Sequence, residues 1–355
     1  MRPTEISQSL KIAWSANIAT MMWGTPGIGK SDVVRNTARE EGREVRDIRL
    51  ALLDPTDLRG IPYYNLDTKT AEWAVAKMLP QDPNSNDVIF LDEINAAPPA
   101  VQAAAYQLVL DRAIGEYRLP ENVRITAAGN NDTDKAVTYK MPTPLLNRFT
   151  HLEYEVHFED WYDWAIQNNI HEHVISFLNH QKSKINQFDP KSASKGFPTP
   201  RSWAVTSKIL YNQPSEKIAR GMIAGTIGDG AMSEFMTYRK VYKNLPDPMD
   251  VLTGRVTKLP DRDDVSIKYA MMTSLVYTMR DEYTKVTDKK TDFKDFDKLC
   301  DGFFSFIHDS DNFSPEFAIM GVRDAMKNLK IPIAKTTAWK PFAADYGRLI
   351  TGVAK

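Results

Sequence analysis

The sequence has few of the features that mark secreted, membrane-spanning or broadly nucleic-acid-binding proteins. It contains one cysteine, Cys300, which excludes an intramolecular disulfide and fits a reducing compartment. The formal net charge is −1, so the overall basic excess that drives non-specific nucleic-acid binding is missing, although a local basic groove is not excluded. No basic-then-apolar secretory signal opens the chain, and no apolar run is long enough to span a bilayer. We therefore expect a cytoplasmic protein with no membrane span.

The rest of the composition is typical of a globular protein. Hydrophobic residues make up 42% of the chain and charged residues 26%. A length of 355 residues is more than a single core usually holds, so it predicts two or three domains.

A glycine-rich stretch near the start of the chain has the pattern G-x-x-x-x-G-K-[ST]. It follows the apolar run Ile18–Trp23 and precedes the helix-compatible segment Ser31–Glu41. A strand, a glycine turn and a helix N-terminus in this order place backbone N–H groups around phosphates. Lys30 would reach the β- and γ-phosphates, and Ser31 would ligate Mg²⁺. A glycine turn with an incidental lysine is the alternative, but both flanks favour a nucleotide site built from Gly24, Thr25, Pro26, Gly27, Ile28, Gly29, Lys30 and Ser31.

Two adjacent acids follow a second apolar strand. Asp87–Leu91 reads as a buried central strand and ends in Asp92 and Glu93. Asp92 is placed to hold the Mg²⁺ shell together with Ser31, and Glu93 to orient or deprotonate the attacking water. The alternative is that the two acids only cap the next helix. Their position at a strand end favours the catalytic role.

Three further polar residues are candidates by position. Asn130 follows the strand Val123–Ala128, where its amide could hold a water against the γ-phosphate, although asparagine is also a common turn residue. Arg148 precedes the last predicted strand, and Arg201 opens a helix. Arginine contacts phosphate through a planar, permanently charged group. A single arginine is more often a surface residue, so these two depend on the arrangement of the other motifs.

Five predicted strands alternate mainly with helices, which is the pattern of an open α/β sheet. From about residue 157 the pattern becomes helical, with soft domain boundaries near 156 and 235, giving domains 1–156, 157–235 and 236–355. Residues 61–80, with Tyr63, Tyr64 and Trp73, predict a hairpin or an extended surface loop, and a small hairpin is expected around Gly115. The five strands are Ile18–Trp23, Glu44–Leu50, Asp87–Leu91, Val123–Ala128 and His151–Val156.

Three histidines and the cysteine are assigned structural roles. His171 and His173 would point about 200° apart on one helix, so with His180 they are interpreted as a solvated helix surface and not as metal ligands. Cys300 has no local nucleophile signature and is expected in the core.

The motifs together resemble an AAA+ ATPase of the MoxR type, in the helix-2-insert clade, over about residues 18–210. The resemblance implies that Gly24–Ser31 is the Walker A loop and that Asp92 and Glu93 are the Walker B pair. It also implies that Asn130 is sensor 1, Arg148 an arginine finger acting across a subunit interface, and Arg201 sensor 2. The matching residues are Gly24–Ser31, Val88–Asn95, Ala97–Pro99, Gln102 and Leu145–Phe149.

The same resemblance implies an architecture and a class of function. The fold would be an α/β AAA+ P-loop core with a five-stranded parallel sheet in the order 5-1-4-3-2, a helical lid and an additional C-terminal helical region. The hairpin around Gly115 would match the helix-2 insert, while Ala96 departs from the pattern because many relatives carry arginine there. ATP and Mg²⁺ would be bound. The protein would form a homo-oligomeric ring, most often a hexamer, that remodels or matures a protein client in a chaperone-like manner, with a von Willebrand factor A domain protein as a further partner.

Two other functions stay open on the sequence. A nucleic-acid-linked AAA+ motor or loader would use the same core, and the near-neutral charge disfavours it without excluding it. A P-loop kinase would transfer phosphate to an acceptor other than water, and would need neither Glu93 beside Asp92 nor an arginine from a neighbour. No Asn-Lys-x-Asp guanine signature is present, which favours ATP over GTP.

Overall fold

A computed structural model describes residues 1–131, 134, 138–192, 194–261 and 263–351. The chain forms two compact units. The first comprises Met1–Asp160 and Phe188–Ser192, and the second comprises Trp161–Gln187 and the described part of Ala193–Lys355. The finer division into domains 1–156, 157–235 and 236–355 stays a prediction.

The first unit contains all the strands described and the helices around them. The strands are β1 (Thr20–Trp23), β2 (Val45–Arg49), β3 (Ile61–Asn65), β4 (Thr70–Ala74), β5 (Val88–Asp92), β6 (Ala113–Ile114), β7 (Tyr117–Arg118), β8 (Arg124–Gly129) and β9 (Thr150–Glu153). The helices are α1 (Pro3–Ser15), α2 (Lys30–Glu40), α3 (Pro55–Arg59), α4 (Pro99–Asp111), α5 (Thr143–Leu146) and the start of α6 (Phe158–Gln167).

Five of these strands form one parallel sheet in the order β2-β5-β8-β1-β9. Numbered along the chain, the same strands read 5-1-4-3-2 from the β9 edge, so the predicted α/β sheet and its order are confirmed. Each predicted strand is present, with ends that differ from the prediction by at most three residues. Because all five strands run in the same direction, the segments that follow β1, β5 and β8 meet at one edge of the sheet.

Apolar side chains cover both faces of the sheet. On one face, Leu91 of β5 and Ile125 of β8 belong to the same buried cluster as Leu108 of α4. On the other face, Phe90 of β5 belongs to a cluster with Val34 of α2 and with residues of α1. The central strand β5 is buried over Val88–Leu91, as a strand covered on both faces requires.

Two hairpins lie outside the parallel sheet, and both occur in segments where the sequence predicts a hairpin. β3 and β4 pair antiparallel between β2 and β5, and they expose Tyr63, Tyr64 and Trp73 by 47%, 61% and 38%. β6 and β7 pair across the turn at Gly115, where a φ of +57° suits glycine.

The second unit is helical in the part that the structure describes. Its core is rich in phenylalanine and includes the buried Cys300, as predicted, whose thiol pKa is raised by burial. None of the helices described in the chain is both long and apolar enough to cross a bilayer. After α6 the helices are α7 (Glu172–His180), α8 (Pro200–Tyr211), α9 (Glu216–Ile227), α10 (Asp229–Tyr238), α11 (Pro248–Leu252), α12 (Val265–Thr287), α13 (Phe293–His308), α14 (Pro315–Arg323) and α15 (Trp339–Thr351).

The interpretation of His171 and His173 as a solvated helix surface is wrong. His171 is the N-cap of α7 and lies outside the helix, so the helical angle between the two residues does not apply. Their ring centroids are 4.6 Å apart, and Arg239 Nε donates to His173 Nδ1 at 3.1 Å. Burial lowers the pKa of His171 to about 4 and that of His173 to about 3, so both are neutral near pH 7. Within the described ranges no group of three metal-ligating side chains forms.

A buried carboxylate lies just after α14, in a π-helical segment spanning Asp324–Asn328. Tyr162 Oη donates to Asp324 Oδ2 at 2.6 Å, and Asn328 Nδ2 donates to Asp324 Oδ1 at 3.1 Å. Burial raises the pKa of Asp324 to about 6, although both hydrogen bonds and the nearby Arg323 charge favour the ionised form. At neutral pH the second unit therefore keeps a desolvated charge that opposes folding.

We expect Asp324→Asn to become more stable relative to the wild type as the pH rises. The pKa of Asp324 is about 6 in the folded protein and about 3.9 in the unfolded chain. Between these two pH values the folded wild type binds more protons than the unfolded chain, so its free energy of unfolding falls as the pH rises from about 4 to about 6. The asparagine variant lacks this loss, and the difference should grow by about 2 kcal/mol between about pH 4.5 and pH 7. Chemical denaturation of both proteins at several pH values measures it. A constant difference across this range would contradict the assignment.

Candidate nucleotide-binding site

The loop Gly24–Ser31 connects β1 to α2 and depends on glycine at three positions. Gly27 and Gly29 have φ values of +78° and +102°, in the left-handed region that glycine adopts without strain. A Cβ on Gly24 would lie 2.7 Å from Ile28 Cδ1 and 2.8 Å from the Tyr154 carbonyl oxygen. Because Gly29 is also the N-cap of α2, the loop curls directly onto a helix N-terminus. This is the backbone shape that presents N–H groups to a phosphate.

Tyr154, just after β9, holds this loop through two hydrogen bonds to backbone carbonyls. Its backbone N–H donates to the Trp23 carbonyl at 2.8 Å, and its hydroxyl donates to the Ile28 carbonyl at 3.3 Å. Burial raises the pKa of Tyr154, so the hydroxyl stays protonated and remains a donor. This role of Tyr154 is not predictable from the sequence, since a tyrosine at the end of a strand is common.

Lys30 and Ser31 connect the loop to two other strand ends. Lys30 Nζ donates to the carbonyls of Gly24 at 2.6 Å and Thr25 at 3.1 Å, and to Asn130 Oδ1 at 3.1 Å. Ser31 Oγ donates to Asp92 Oδ2 at 3.1 Å. Four residues predicted from three separate motifs are therefore in direct contact.

The last residue of β5, Asp92, and the residue after it, Glu93, point in different directions because the chain turns between them. Glu93 has a φ of +55° and a ψ of +36°, an uncommon left-handed conformation for a residue with a side chain. Its backbone N–H donates to Asp92 Oδ1 at 3.0 Å, which holds the turn. Asp92 is half-buried against Ser31, while the Glu93 side chain is exposed. Backbone strain of this kind often occurs at functional sites.

Asn95 fixes the position of Asn130 and is a site residue to which the sequence analysis gave no role. It is buried, with 1% of its surface exposed. Its Nδ2 donates to the Asn130 carbonyl at 2.7 Å, and its Oδ1 accepts from the Asn130 N–H at 3.3 Å. A Cβ on Gly129 would lie 2.6 Å from the same Oδ1, so glycine leaves room for the pair. The sequence feature that could have predicted this role is the place of Asn95 at the end of the run Asp92–Asn95.

The two predicted arginines lie outside this set of contacts. Arg148 is exposed, in the turn between α5 and β9, and the buried Leu145 and Phe149 anchor the turn on either side. Arg201 is exposed in the first turn of α8, in the second unit.

The residues present fit a phosphate chain and a magnesium ion. Ser31 Oγ and Asp92 Oδ2 are hard oxygen ligands 3.1 Å apart, beside the ammonium group of Lys30. Magnesium in nucleotide sites is held by one or two protein oxygens and completed by phosphate and water.

The sequence of this region matches a known protein family. Residues 19–151 match the model of the ATPase family associated with various cellular activities (AAA). This segment is similar to the AAA ATPases. It contains β1, β2, β5 and β8, the first two residues of β9, and the contacts among Lys30, Ser31, Asp92 and Asn130. The narrower MoxR assignment stays a prediction.

Three individual proteins to which this chain is similar share 26% identity or less with it. Midasin of Giardia intestinalis is 26% identical over 188 residues, which is 50% of this chain and 4% of the length of midasin. The ADP complex of NtrX from Brucella abortus covers 79% of this chain and 65% of its own, with 13% identity and a TM-score of 0.41. The RuvB Holliday junction branch migration motor of Thermotoga maritima covers 68% and 73%, with 18% identity and a TM-score of 0.37. At these values the structural likenesses carry no information about function.

We expect Asn95→Ala to impair the site without touching the nucleotide. The change leaves the Asn130 N–H and carbonyl without their side-chain partner, which should cost about 1–3 kcal/mol of stability and let the Asn130 amide move away from Lys30. If Asn130 has the water-positioning role expected from the sequence, ATP turnover should fall about tenfold or more, since a displaced positioning group commonly costs that much. Nucleotide binding should stay within about threefold, because the phosphate loop is unchanged. Calorimetric titration and a phosphate-release assay separate the two effects.

The exposed Asn84 provides the matched control for this variant. Asn84→Ala removes the same side chain from a surface turn of the same unit, and should leave both binding and turnover unchanged. Equal turnover in the two variants would remove the positioning role of Asn95.

Proposed function

We propose that the protein is an ATP-hydrolysing AAA+ ring protein that remodels or matures a protein client. The observation that carries the ATPase part is the joint contact of Lys30 with Asn130 and of Ser31 with Asp92 at one edge of the sheet. Four residues with the chemistry of phosphate binding, metal binding and water positioning meet where the glycine loop opens. The match of residues 19–151 to the AAA ATPase family supports the same activity.

Each side chain has a role that its position allows. Lys30 binds the β- and γ-phosphates, and the loop N–H groups orient the phosphate chain. Ser31 and Asp92 hold Mg²⁺, which neutralises charge on the phosphate oxygens when bound. Glu93 is exposed beside Asp92 and takes the proton of the attacking water, while Asn130 fixes that water in line with the γ-phosphate. An exposed carboxylate in a strained turn is free to meet a water that arrives with the substrate.

The arginines complete the site in an assembly. Arg148 is presented to solvent on a turn anchored by two buried neighbours, which suits a contact with the nucleotide of an adjacent subunit. Arginine supplied across an interface stabilises the charge that develops on the transferring phosphoryl group. Arg201 lies in the second unit, and its role as sensor 2 stays part of the proposal through the family resemblance alone. We therefore propose a homo-oligomer, a hexamer in the simplest case.

The client-facing part of the proposal is supported by the β3–β4 hairpin. It exposes Tyr63, Tyr64 and Trp73 on the surface of the first unit. An insert in the second helix after the phosphate loop would lie between β2 and β5, where this hairpin follows α3 directly. The β3–β4 hairpin fits that description better than the hairpin around Gly115, which follows α4. A partner with a von Willebrand factor A domain stays part of the proposal through the family resemblance alone.

We expect three substitutions to separate binding, chemistry and assembly. Lys30→Ala should abolish nucleotide binding, because it removes the cation that meets the terminal phosphates. Glu93→Gln should bind ATP normally and lose about 10²-fold or more in turnover, since the amide cannot accept the water proton. Arg148→Ala should bind ATP, assemble, and lose about 10³-fold in turnover. Calorimetry, phosphate release and light scattering measure the three properties.

Arg118→Ala is the control for the arginine, because Arg118 is exposed on β7 of the same unit. It should leave turnover unchanged. Full activity of Arg148→Ala would overturn the shared site.

Phosphate transfer to a small-molecule acceptor instead of water would replace the ATPase proposal with a kinase. The Glu93→Gln protein with ATP bound should retain its client in a pull-down, and capture of nucleic acid alone would favour a nucleic-acid motor.

A further inference from the structure

Trp23 is the last residue of β1 and precedes the phosphate loop directly. Its carbonyl accepts from the Tyr154 N–H at 2.8 Å, which ties the entrance of the loop to β9. Its indole ring packs against the same apolar cluster as Leu145 and Phe149. Trp23 therefore lies between the start of the phosphate loop and the apolar cluster that includes Leu145 and Phe149.

The indole of Trp23 contacts His151 on the edge strand β9. Trp23 Nε1 donates to His151 Nδ1 at 2.8 Å, and the two rings are nearly parallel, with centroids 6.0 Å apart and planes 16° from each other. In the strand register His151 lies opposite Met21, so the contact runs diagonally along the paired strands. An indole N–H can only donate, so His151 Nδ1 must be the acceptor and carry no proton.

The other ring nitrogen of His151 reaches the turn that carries Arg148. His151 Nε2 lies 2.9 Å from the Leu146 carbonyl oxygen. A neutral imidazole with an unprotonated Nδ1 carries its proton on Nε2, so this contact is a donated hydrogen bond. The Leu146 carbonyl also accepts from the Phe149 N–H at 3.1 Å, and the Arg148 N–H donates to the Leu145 carbonyl at 3.1 Å. Both contacts of His151 thus require the same tautomer.

We propose that His151 is a positioning residue that holds the Arg148 turn in register with the phosphate loop, through Trp23 on one side and Leu146 on the other. This inference rests on the proposed function, in which Arg148 acts on the nucleotide of a neighbouring subunit. His151 would then fix the position of Arg148, which its own subunit supplies to the nucleotide site of the neighbour. Its effect would appear in the adjacent site and not in the one formed by its own loop.

A packing role is the alternative, and it makes different predictions. If the ring only fills space beside Trp23, an aliphatic residue of similar size should replace it. If the two hydrogen bonds matter, leucine should fail and glutamine should succeed. The amide oxygen and nitrogen of glutamine are separated like the two ring nitrogens, so one can accept from Trp23 while the other donates to Leu146. Trp23→Phe removes the N–H donor and keeps an aromatic ring.

Mixed assemblies locate the effect. A Glu93→Gln subunit cannot hydrolyse ATP but donates Arg148, and an Arg148→Ala subunit keeps its Glu93 but donates no arginine. Each alone is expected to be inactive, and mixing them should restore turnover at those interfaces where the first donates to the second. His151→Leu is then placed on one partner at a time. Thermal unfolding of each variant confirms that it is folded, and titration with ATP confirms binding.

We expect His151→Leu on the Glu93→Gln partner to lower the restored turnover about two- to tenfold, the value of one or two hydrogen bonds. The same change on the Arg148→Ala partner should leave the restored turnover intact. His151→Gln on the donating partner should recover it, and Trp23→Phe there should lower it as leucine does. An equal loss on both partners, no loss on either, or no rescue by glutamine would overturn the positioning role. One further result would show that the shared site itself fails: the mixed assemblies are folded but restore no turnover, and Arg148→Ala alone is active. In that case the positioning role of His151 fails with the shared site.

Discussion

The contacts of Lys30 with Asn130 and of Ser31 with Asp92 are the constraint on which the rest of the first unit depends. They join the phosphate loop to the ends of two other strands, and they can form only if β1, β5 and β8 run parallel and end at the same edge. The strand order β2-β5-β8-β1-β9 provides this, with β8 between β1 and β5. The apolar clusters on both faces hold the strands in that order, so the polar edge is a consequence of the buried core.

Around this edge, a group of residues supports the site from behind. Asn95 fixes Asn130 through two hydrogen bonds, and Tyr154 holds the loop carbonyls of Trp23 and Ile28. Glycine at 24 and 129 is required because a Cβ at either position would meet one of these supports. Polar groups held in this way lose little freedom when substrate binds, which is the general advantage of a preorganised site. The strained backbone at Glu93 is tolerated because the same surroundings define it.

The two units differ in how closely sequence pattern and structure agree. In the first, apolar runs such as Val88–Leu91 are long enough and buried enough to predict strands with small errors at their ends. In the second, the helical pattern is confirmed, but it does not predict the surroundings of particular side chains. His171 falls at a helix N-cap and packs against His173, and Asp324 is enclosed with Tyr162 in a π-helical segment. Periodicity describes the face of a regular helix, and it gives no information at caps and at changes of helix type.

The sequence by itself determined the strand–loop–helix at Gly24–Ser31, the acids after β5, the strand order through family resemblance, and the candidate roles of Asn130, Arg148 and Arg201. These follow from local patterns, in which residue type and spacing along the chain carry the chemistry. Tertiary structure alone decided that Asn95 supports Asn130, that Tyr154 supports the loop, and that His151 lies between Trp23 and the Arg148 turn. Each of these contacts joins residues between 5 and 128 positions apart. Their partners depend on which strands become neighbours and on the direction of each side chain, and neither is encoded in a local window.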